Sequence, residues 1–167
     1  MSSITNSGTA LSREGVATTA AVDLFEVTLN TGAAVRVAGL WVSQSSDVGD
    51  AAEEMIRWRI VQGNTTSGSG GASPDESDLG YQYGASGIDS AESFNTTPAS
   101  GGSPVSGAAN AFNIRAGEQL WFPPGLEPIF TDPGGSTEVN VIRLMAAPAD
   151  SLTMSAVLFL YRGSPVY

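Results

Sequence analysis

Apolar and polar residues alternate along much of this chain with a period of two, which is the pattern of a β-strand with one buried face. The stretch EEMIRWRIVQ is the clearest example, because Ile56, Trp58 and Ile60 occupy alternate positions in it. These three side chains are expected in a hydrophobic core. Arg57 and Arg59 lie between them and are expected to point outward, where they could pair with acidic groups.

Turn-forming sequences such as AGE, PPG, DPGG and APADS separate the alternating stretches. About eight strands are therefore predicted, rich in β-branched and aromatic residues and spaced as in a sandwich or barrel. The predicted fold is an all-β antiparallel β-sandwich, with a short helical turn at 47–55 as the one helical candidate. The predicted strands are 24–30, 34–46, 53–62, 111–115, 119–122, 127–130, 137–146 and 152–162, and 15–21 is a candidate ninth.

Two tryptophans outside the EEMIRWRIVQ stretch are placed by their neighbours. The alternation in residues 34–46 puts Trp41 on the same face as Val35 and Val37. Trp121 directly precedes the turn sequence FPPG, which makes it a candidate for the rim of the domain.

The last predicted strand, LTMSAVLFLYR, is apolar on both faces. Val157, Phe159 and Tyr161 lie on one face. The other face carries Leu152, Met154, Ala156, Leu158 and Leu160. A strand of this kind is covered on both sides. It is either the central strand of a tightly packed sandwich or a strand whose outer face contacts another subunit.

Residues 63–111 have no clear core pattern, and Gly, Ser and Pro fill nearly half of the positions. Structureless segments of this length in a compact domain are usually functional or disordered. The segment is therefore predicted to be a long inserted loop. It either has no role or docks onto a surface, its own or a neighbour's, and aromatic residues favour docking, with Tyr81, Tyr83 and Phe94 as the anchors.

Composition narrows the function further. A chain of 167 residues is expected to form one domain, residues 1–167, with an extended polar N-terminal arm at 1–14. The formal net charge is −10, and all seven basic residues are arginines. Such an acidic chain is repelled by nucleic acid and by anionic membranes, so neither is an expected partner.

The chain has no cysteine, histidine or lysine, which excludes disulfides, Cys/His metal sites, Ser-His-Asp triads and Schiff-base chemistry. The acidic stretch 75–78 lacks the order of an EF-hand calcium loop. A two-carboxylate site that pairs Glu53 or Glu54 with Glu118 stays open. We expect no enzyme activity and no cofactor. The N-terminus does not resemble a secretory signal, and no apolar run reaches membrane-spanning length.

Four stretches of the chain together resemble auxiliary capsid proteins of tailed bacteriophages, which are called decoration or cement proteins. The N-terminal pair is REGVATTAAVDLFEVTLNTGAAVRVAGLWVSQSS followed by EEMIRWRIVQGNTTSGSGG. The C-terminal pair is FNIRAGEQLWFPPGLEPIF followed by VNVIRLMAAPADSLTMSAVLFLYRG. The lengthened segment 63–111 departs from the family pattern.

The resemblance implies a jelly-roll-like sandwich on the outer surface of a virion capsid, made in the host cytoplasm. It implies a structural protein, often a homotrimer, that bridges subunits of the major capsid protein. The residues expected to contact partners are Tyr81, Tyr83, Phe94, Arg57, Arg59, Phe159 and Tyr161. One alternative is a phage tail, fibre or head-surface module that binds host glycans, and a second is a two-carboxylate glycan hydrolase.

Overall fold

Eleven β-strands, and no helix, form the regular structure of residues 7–46, 54–78, 87–132, 138–149 and 151–162, the part of the chain that the computed structural model describes. The strands are β1 (Ser7–Thr18), β2 (Asp23–Leu29), β3 (Ala34–Gln44), β4 (Met55–Asn64), β5 (Asp75–Asp78), β6 (Ile88–Asn95), β7 (Val105–Asn113), β8 (Glu118–Trp121), β9 (Ile129–Thr131), β10 (Val139–Leu144) and β11 (Leu152–Arg162). The helical turn expected at 47–55 falls mostly on 47–53, outside the described residues.

The strands form two antiparallel sheets. The six-stranded sheet has the order β5-β1-β11-β3-β8, with β9 also paired to β3, and the five-stranded sheet has the order β6-β2-β10-β4-β7. Without β5, β6 and β9, the orders β1-β11-β3-β8 and β2-β10-β4-β7 are those of an eight-stranded jelly roll. The predicted antiparallel sandwich of jelly-roll type is confirmed, with three strands more than the predicted eight.

The core lies between the two sheets and is built by the alternate residues that the sequence pattern predicts. Trp58 on β4 is 1% exposed, and Leu158 on β11 is fully buried, so both are core residues as expected. β11 is a central strand between β1 and β3, and its inner face is the predicted apolar row from Leu152 to Leu160.

The face predicted for Trp41 is wrong. The register between β3 and β11 shifts, because Val37 lies opposite Leu160 whereas Gly39 lies opposite Phe159. One extra residue in β3 is a β-bulge, and it reverses which side chains point inward. Leu40, the residue after Gly39, is therefore in the core, and Trp41 lies on the outer face.

The predicted inserted loop at 63–111 is also wrong, because this segment contains β5, β6, most of β7 and the end of β4. The strand β5 extends the six-stranded sheet beyond β1, and β6 extends the five-stranded sheet beyond β2. Backbone pairing at a sheet edge needs no apolar alternation, so the sequence pattern misses it. Likewise, residues 7–14 of the predicted arm belong to β1, and residues 7–13 pair with β11; residues 1–6 lie outside the described part.

The segment between β4 and β7, residues 65–104, is called the insertion below, and its two arms, 65–74 and 93–104, cover part of the outer face of the five-stranded sheet. Its two arms pair through bridges, among them Ser69 with Thr97 and Ala72 with Ser93. Beneath them Ala99 packs with three valines in a second buried cluster, formed by Val61, Val139 and Val141. Val61 and Val141 point away from the main core, because their chain neighbours Ile60 and Ile142 point into it.

The Gly/Ser tract at 66–71 makes this close packing of the two arms feasible. A Cβ atom added at Gly68 would lie 2.6 Å from the carbonyl oxygen of Thr97. A Cβ atom added at Gly71 would overlap the carbonyl oxygen of Ser93 and the side chain of Asn95. The tract is low in side chains because another strand segment lies directly against it.

Candidate interaction surface

An aromatic cluster lies on the outer face of the six-stranded sheet. The ring centroids of Trp41 and Phe159 are 4.9 Å apart with an edge-on geometry, and those of Trp121 and Phe159 are 4.8 Å apart. Trp41 and Trp121 meet edge to face at 5.7 Å. Val157 and Tyr161 lie on the same face of β11 as Phe159, on either side of it. These five residues are called the aromatic surface below.

The cluster depends on Gly39, the residue that follows the extra residue in β3. Gly39 lies opposite Phe159 on one side and opposite Trp121 on the other. A Cβ atom here would approach the Trp121 ring to 2.7 Å and the carbonyl oxygen of Leu120 to 2.6 Å. A glycine is therefore needed for the indole ring to lie across β3.

Exposed apolar residues continue the aromatic surface toward the β8–β9 connection. Trp121 is 53% exposed, Leu126 is 75% exposed and Ile129 is 40% exposed. Ile129 lies opposite Arg36, which in turn lies opposite Tyr161, so the three side chains share one face of the sheet. The result is an extended apolar surface with a polar edge.

A shallow groove of about 220 Å³ runs beside Trp41 and Val157. Polar side chains line part of it, among them Glu14, Gln119 and Ser155. The indole nitrogen of Trp41 is itself buried and has no hydrogen-bond partner among the described residues. Buried N–H groups are normally paired, so this nitrogen is an exception among the described residues.

The β8–β9 connection is attached to the sheet by Glu127, whose side chain is 4% exposed. The Tyr161 hydroxyl donates to Oε1 of Glu127 at 2.6 Å, and the Gly125 amide donates to Oε2 at 2.7 Å. The Arg36 guanidinium lies 3.5 Å from the same carboxylate. The Tyr161 hydrogen bond is the main cause that lowers the pKa of Glu127; burial opposes it, and backbone amides and Arg36 add to it.

The lowered pKa of Glu127 predicts an acid-sensitive connection. A carboxylate whose pKa is depressed by folding contributes stability above its ordinary pKa of 4.5 and loses it as the pH falls through the lower folded-state value. We expect Glu127→Gln to lower the Tm at neutral pH and to show a smaller further loss under acid than the unsubstituted chain. Thermal unfolding followed by tryptophan fluorescence, from neutral pH to below the ordinary pKa of a glutamate, compares the acid dependence of the two proteins. An identical acid dependence of the two proteins would contradict the assignment.

The structure places the sequence-predicted contact residues in different parts of the molecule. Phe159 and Tyr161 lie in the aromatic surface, as the outer-face interpretation of the last strand expects. Arg57 and Arg59 point outward on the five-stranded sheet, where Arg59 donates to the Ser106 hydroxyl at 3.2 Å. Neither forms an ion pair with an acidic group among the described residues, and the expected pairing with acidic residues of a neighbouring subunit stays a prediction.

The burial of Phe94 corrects the prediction that its side chain anchors a loop to a partner. It is 3% exposed and packs in the main core, so its side chain anchors the insertion to its own domain. Its φ of 55° lies in the left-handed region, an uncommon conformation for a residue with a side chain. Tyr81 and Tyr83 lie outside the described residues.

Two buried carboxylates on β2, which the alternation of the sequence does not reveal, hold the insertion in place. Asp23 is fully buried; it binds Arg143 through two contacts of 2.5 and 3.0 Å and accepts the Ala99 amide at 2.7 Å. Arg143 also donates to the Ala99 carbonyl oxygen at 2.7 Å.

Glu26 is the second of these carboxylates and is 3% exposed. It accepts hydrogen bonds from the Gly68 amide and the Asn95 side chain, each at 2.9 Å, and from the Ser67 hydroxyl. Both arms of the insertion therefore bind one carboxylate. Glu26 falls at a polar position of the strand pattern, and only the pairing of distant segments reveals that it is covered.

The carboxylates considered for a hydrolase site make hydrogen bonds within the fold. Glu118 accepts the Trp58 indole N–H and, at 2.6 Å, the Asn110 side-chain amide. Glu54 accepts the Ala149 amide at 2.9 Å. Glu53 lies outside the described residues. These contacts give both described carboxylates a structural role.

Within the described ranges, no cluster of three or more Asp, Glu, Cys or His side chains is suited to a metal ion. The acidic stretch 75–78 forms β5 and pairs with β1. Within the same ranges, no helix has the length and apolar character to span a membrane.

No protein-family model matches this chain. No curated protein matches it either. Two solved structures are weakly similar: T=1 particles derived from infectious bursal virus, and T=1 particles of a point mutant of VP2 from infectious bursal disease virus. The first is 12% identical with a TM-score of 0.20, and the alignment covers 94% of this chain and 38% of the other.

The second of these structures is 11% identical with a TM-score of 0.18, and the alignment covers 96% of this chain and 40% of the other. The chain thus spans about two fifths of the length of each of these two structures. TM-scores this low show neither a shared fold nor a shared function.

Proposed function

We propose that this chain is a structural binding protein whose aromatic surface contacts other protein subunits. The observation that carries the proposal is the placement of Trp121, which is 53% exposed beside Trp41 and Phe159 on the outer face of the six-stranded sheet. Tryptophan and tyrosine are enriched among the residues that dominate binding energy in protein interfaces. Exposed apolar surface rimmed by polar groups marks such contacts.

The aromatic surface is also held in one arrangement before any partner binds. The Trp121 ring lies across Gly39, and Tyr161 is fixed by its hydrogen bond to Glu127. Side chains that are already ordered lose less conformational entropy on binding. A rigid face of this kind suits a protein that acts by adhesion and performs no chemistry.

The partner in this proposal is the major capsid protein of a tailed bacteriophage. The chain would bind the outer surface of the head, as a trimer, and bridge neighbouring capsid subunits. A net charge of −10 gives no attraction to packaged DNA and is consistent with an external position. Many symmetric copies would convert modest contacts into a stabilised shell.

Rebinding to depleted particles tests this function. Purified protein is expected to bind heads of the phage that encodes it, after the protein has been stripped from them, and to raise the temperature at which the heads release DNA. Sedimentation of the particles with bound protein, together with a DNA-release melting curve, gives both readouts. Binding to tails alone, or no binding at all, would count against the proposal.

A second candidate function is the recognition of host glycans by the same surface. The groove beside Trp41 favours it, because Glu14, Gln119 and Ser155 offer hydrogen-bonding groups next to an aromatic ring. A glycan array probed with the isolated protein separates the two functions. Specific glycan binding without particle rebinding would favour the second candidate over the first.

A further inference from the structure

The four sheet edges differ in how well they are protected against pairing with another chain. An exposed edge strand presents unpaired backbone groups, and proteins protect such edges with charges, prolines or short strands. The edge strand β5 has four residues, three of them acidic, and β6 carries Asp89 and Glu92. The edge strand β8 has only four residues. In contrast, β7 has nine residues, VSGAANAFN, with no charged residue and no proline.

The outward-facing backbone groups of β7 can be identified from its pairing with β4. The Ile114 amide donates to the Glu54 carbonyl oxygen at 3.1 Å, so residue 114 faces β4. Antiparallel pairs alternate in this respect, so Asn110 also faces β4, whereas Ala109 and Ala111 direct their N–H and C=O groups away from it. The Asn113 carbonyl oxygen accepts turn amides instead of a β4 amide, which agrees with this phase.

Two arginines on β4 lie beside these outward-facing backbone groups. Arg57 lies opposite Ala111, and Arg59 lies opposite Ala109, so all four side chains share the outer face of the five-stranded sheet. The alanine methyl groups are too short to screen the guanidinium groups from the edge. Neither arginine forms an ion pair within the described ranges, although the chain has 17 acidic residues.

We propose that the β7 edge binds an extended, acidic segment of a partner protein as an added antiparallel or parallel strand. The outward-facing N–H and C=O groups of Ala109 and Ala111 would supply backbone hydrogen bonds, the mode of recognition known as β-augmentation. The added strand would lie roughly 10 Å from β4, two strand spacings away. Acidic side chains on its outer face would then be within reach of Arg57 and Arg59.

The arginines favour an acidic segment over a second copy of β7. Two β7 strands paired about a twofold axis would bring two pairs of arginines onto one face, and β7 has no acidic side chain to pair with them. An acidic strand brings opposite charge to this face. The site is separate from the aromatic surface, which lies on the other sheet.

A nine-residue peptide that alternates glutamate with valine is the probe, titrated into the full chain by fluorescence anisotropy. We expect the double substitution Arg57→Gln and Arg59→Gln to weaken binding about fivefold to tenfold, as expected for two partly exposed ion pairs. Ala109→Pro removes an outward N–H group without breaking the β4 pairing and is expected to weaken binding by a similar factor. Backbone amide exchange should slow at Ala109 and Ala111 when the peptide binds.

Two controls make the outcome decisive. Arg162→Gln removes the same charge from the end of β11, on the other sheet, and should change the affinity less than twofold. A second control is the same peptide with glutamine in place of glutamate. Its affinity for the unsubstituted chain should be as low as the affinity of the glutamate peptide for the double arginine variant. Binding that is unaffected by Ala109→Pro would show contact through charge alone and overturn the proposal. Dimerisation of the chain through β7, or no binding of the peptide, would also overturn it.

Discussion

Replacement of Arg143 by methionine is expected to lower the free energy of unfolding by about 3–5 kcal/mol, because it removes the partner of a buried charge. Asp23 is fully buried, and Arg143 forms two contacts with its carboxylate. Arg143 also binds the Ala99 carbonyl oxygen, so its loss releases the insertion from β10 as well. Urea denaturation, followed by tryptophan fluorescence, measures the change.

Arg59→Met is the matched control for this substitution. Arg59 lies directly opposite Arg143 on the adjacent strand, and its one described side-chain hydrogen bond is to the Ser106 hydroxyl. The control is expected to change the free energy of unfolding by less than about 1 kcal/mol, as partly exposed side chains without a buried partner usually do. If the two substitutions had equal effects, the buried pair would not be what holds the insertion.

Replacement of Trp121 by alanine is expected to weaken binding to stripped phage heads by about 30-fold, which corresponds to about 2 kcal/mol, the level at which an interface residue counts as a hot spot. Its ring contacts Phe159 and Trp41, yet 53% of the residue is exposed. The unfolding free energy should therefore change much less than the binding free energy. Sedimentation with heads over a range of protein concentrations measures the affinity.

Met145→Ala is the control for Trp121→Ala. Met145 is a large apolar residue that is 41% exposed, and it follows β10 of the other sheet. Its removal should leave the affinity for heads unchanged within about twofold. Equal losses for the two variants would indicate a general effect of surface apolar area and contradict a specific role for the aromatic surface.

The sequence predicted the core strands well because their side chains carry the signal. Alternating apolar residues identify the inner rows of β4 and β11, and Trp58 falls in the core as the pattern requires. The doubly apolar β11 also indicated an outer surface at Phe159 and Tyr161. In each case one residue in two is buried, and a period of two records this directly.

Two features could not be predicted from the sequence, because they depend on backbone geometry and on pairing between distant segments. The bulge in β3 shifts the phase by one residue, so Trp41 moved from a predicted inner position to the outer face. The segment 63–111 lacks apolar alternation because its strands lie at sheet edges and its Gly/Ser tract packs against residues 93–97. The carboxylate of Glu26 is buried only because that tract folds over it.

A cryo-EM map of heads decorated with this protein tests the central claim most directly, because it shows which face of the sandwich is covered. We expect Trp41, Trp121 and Phe159 to be buried against a neighbouring protein subunit, a capsid subunit or another copy of this chain. The proposed function would be contradicted by a map in which the outer face of the six-stranded sheet is exposed to solvent in every copy and the contacts to the shell are made elsewhere.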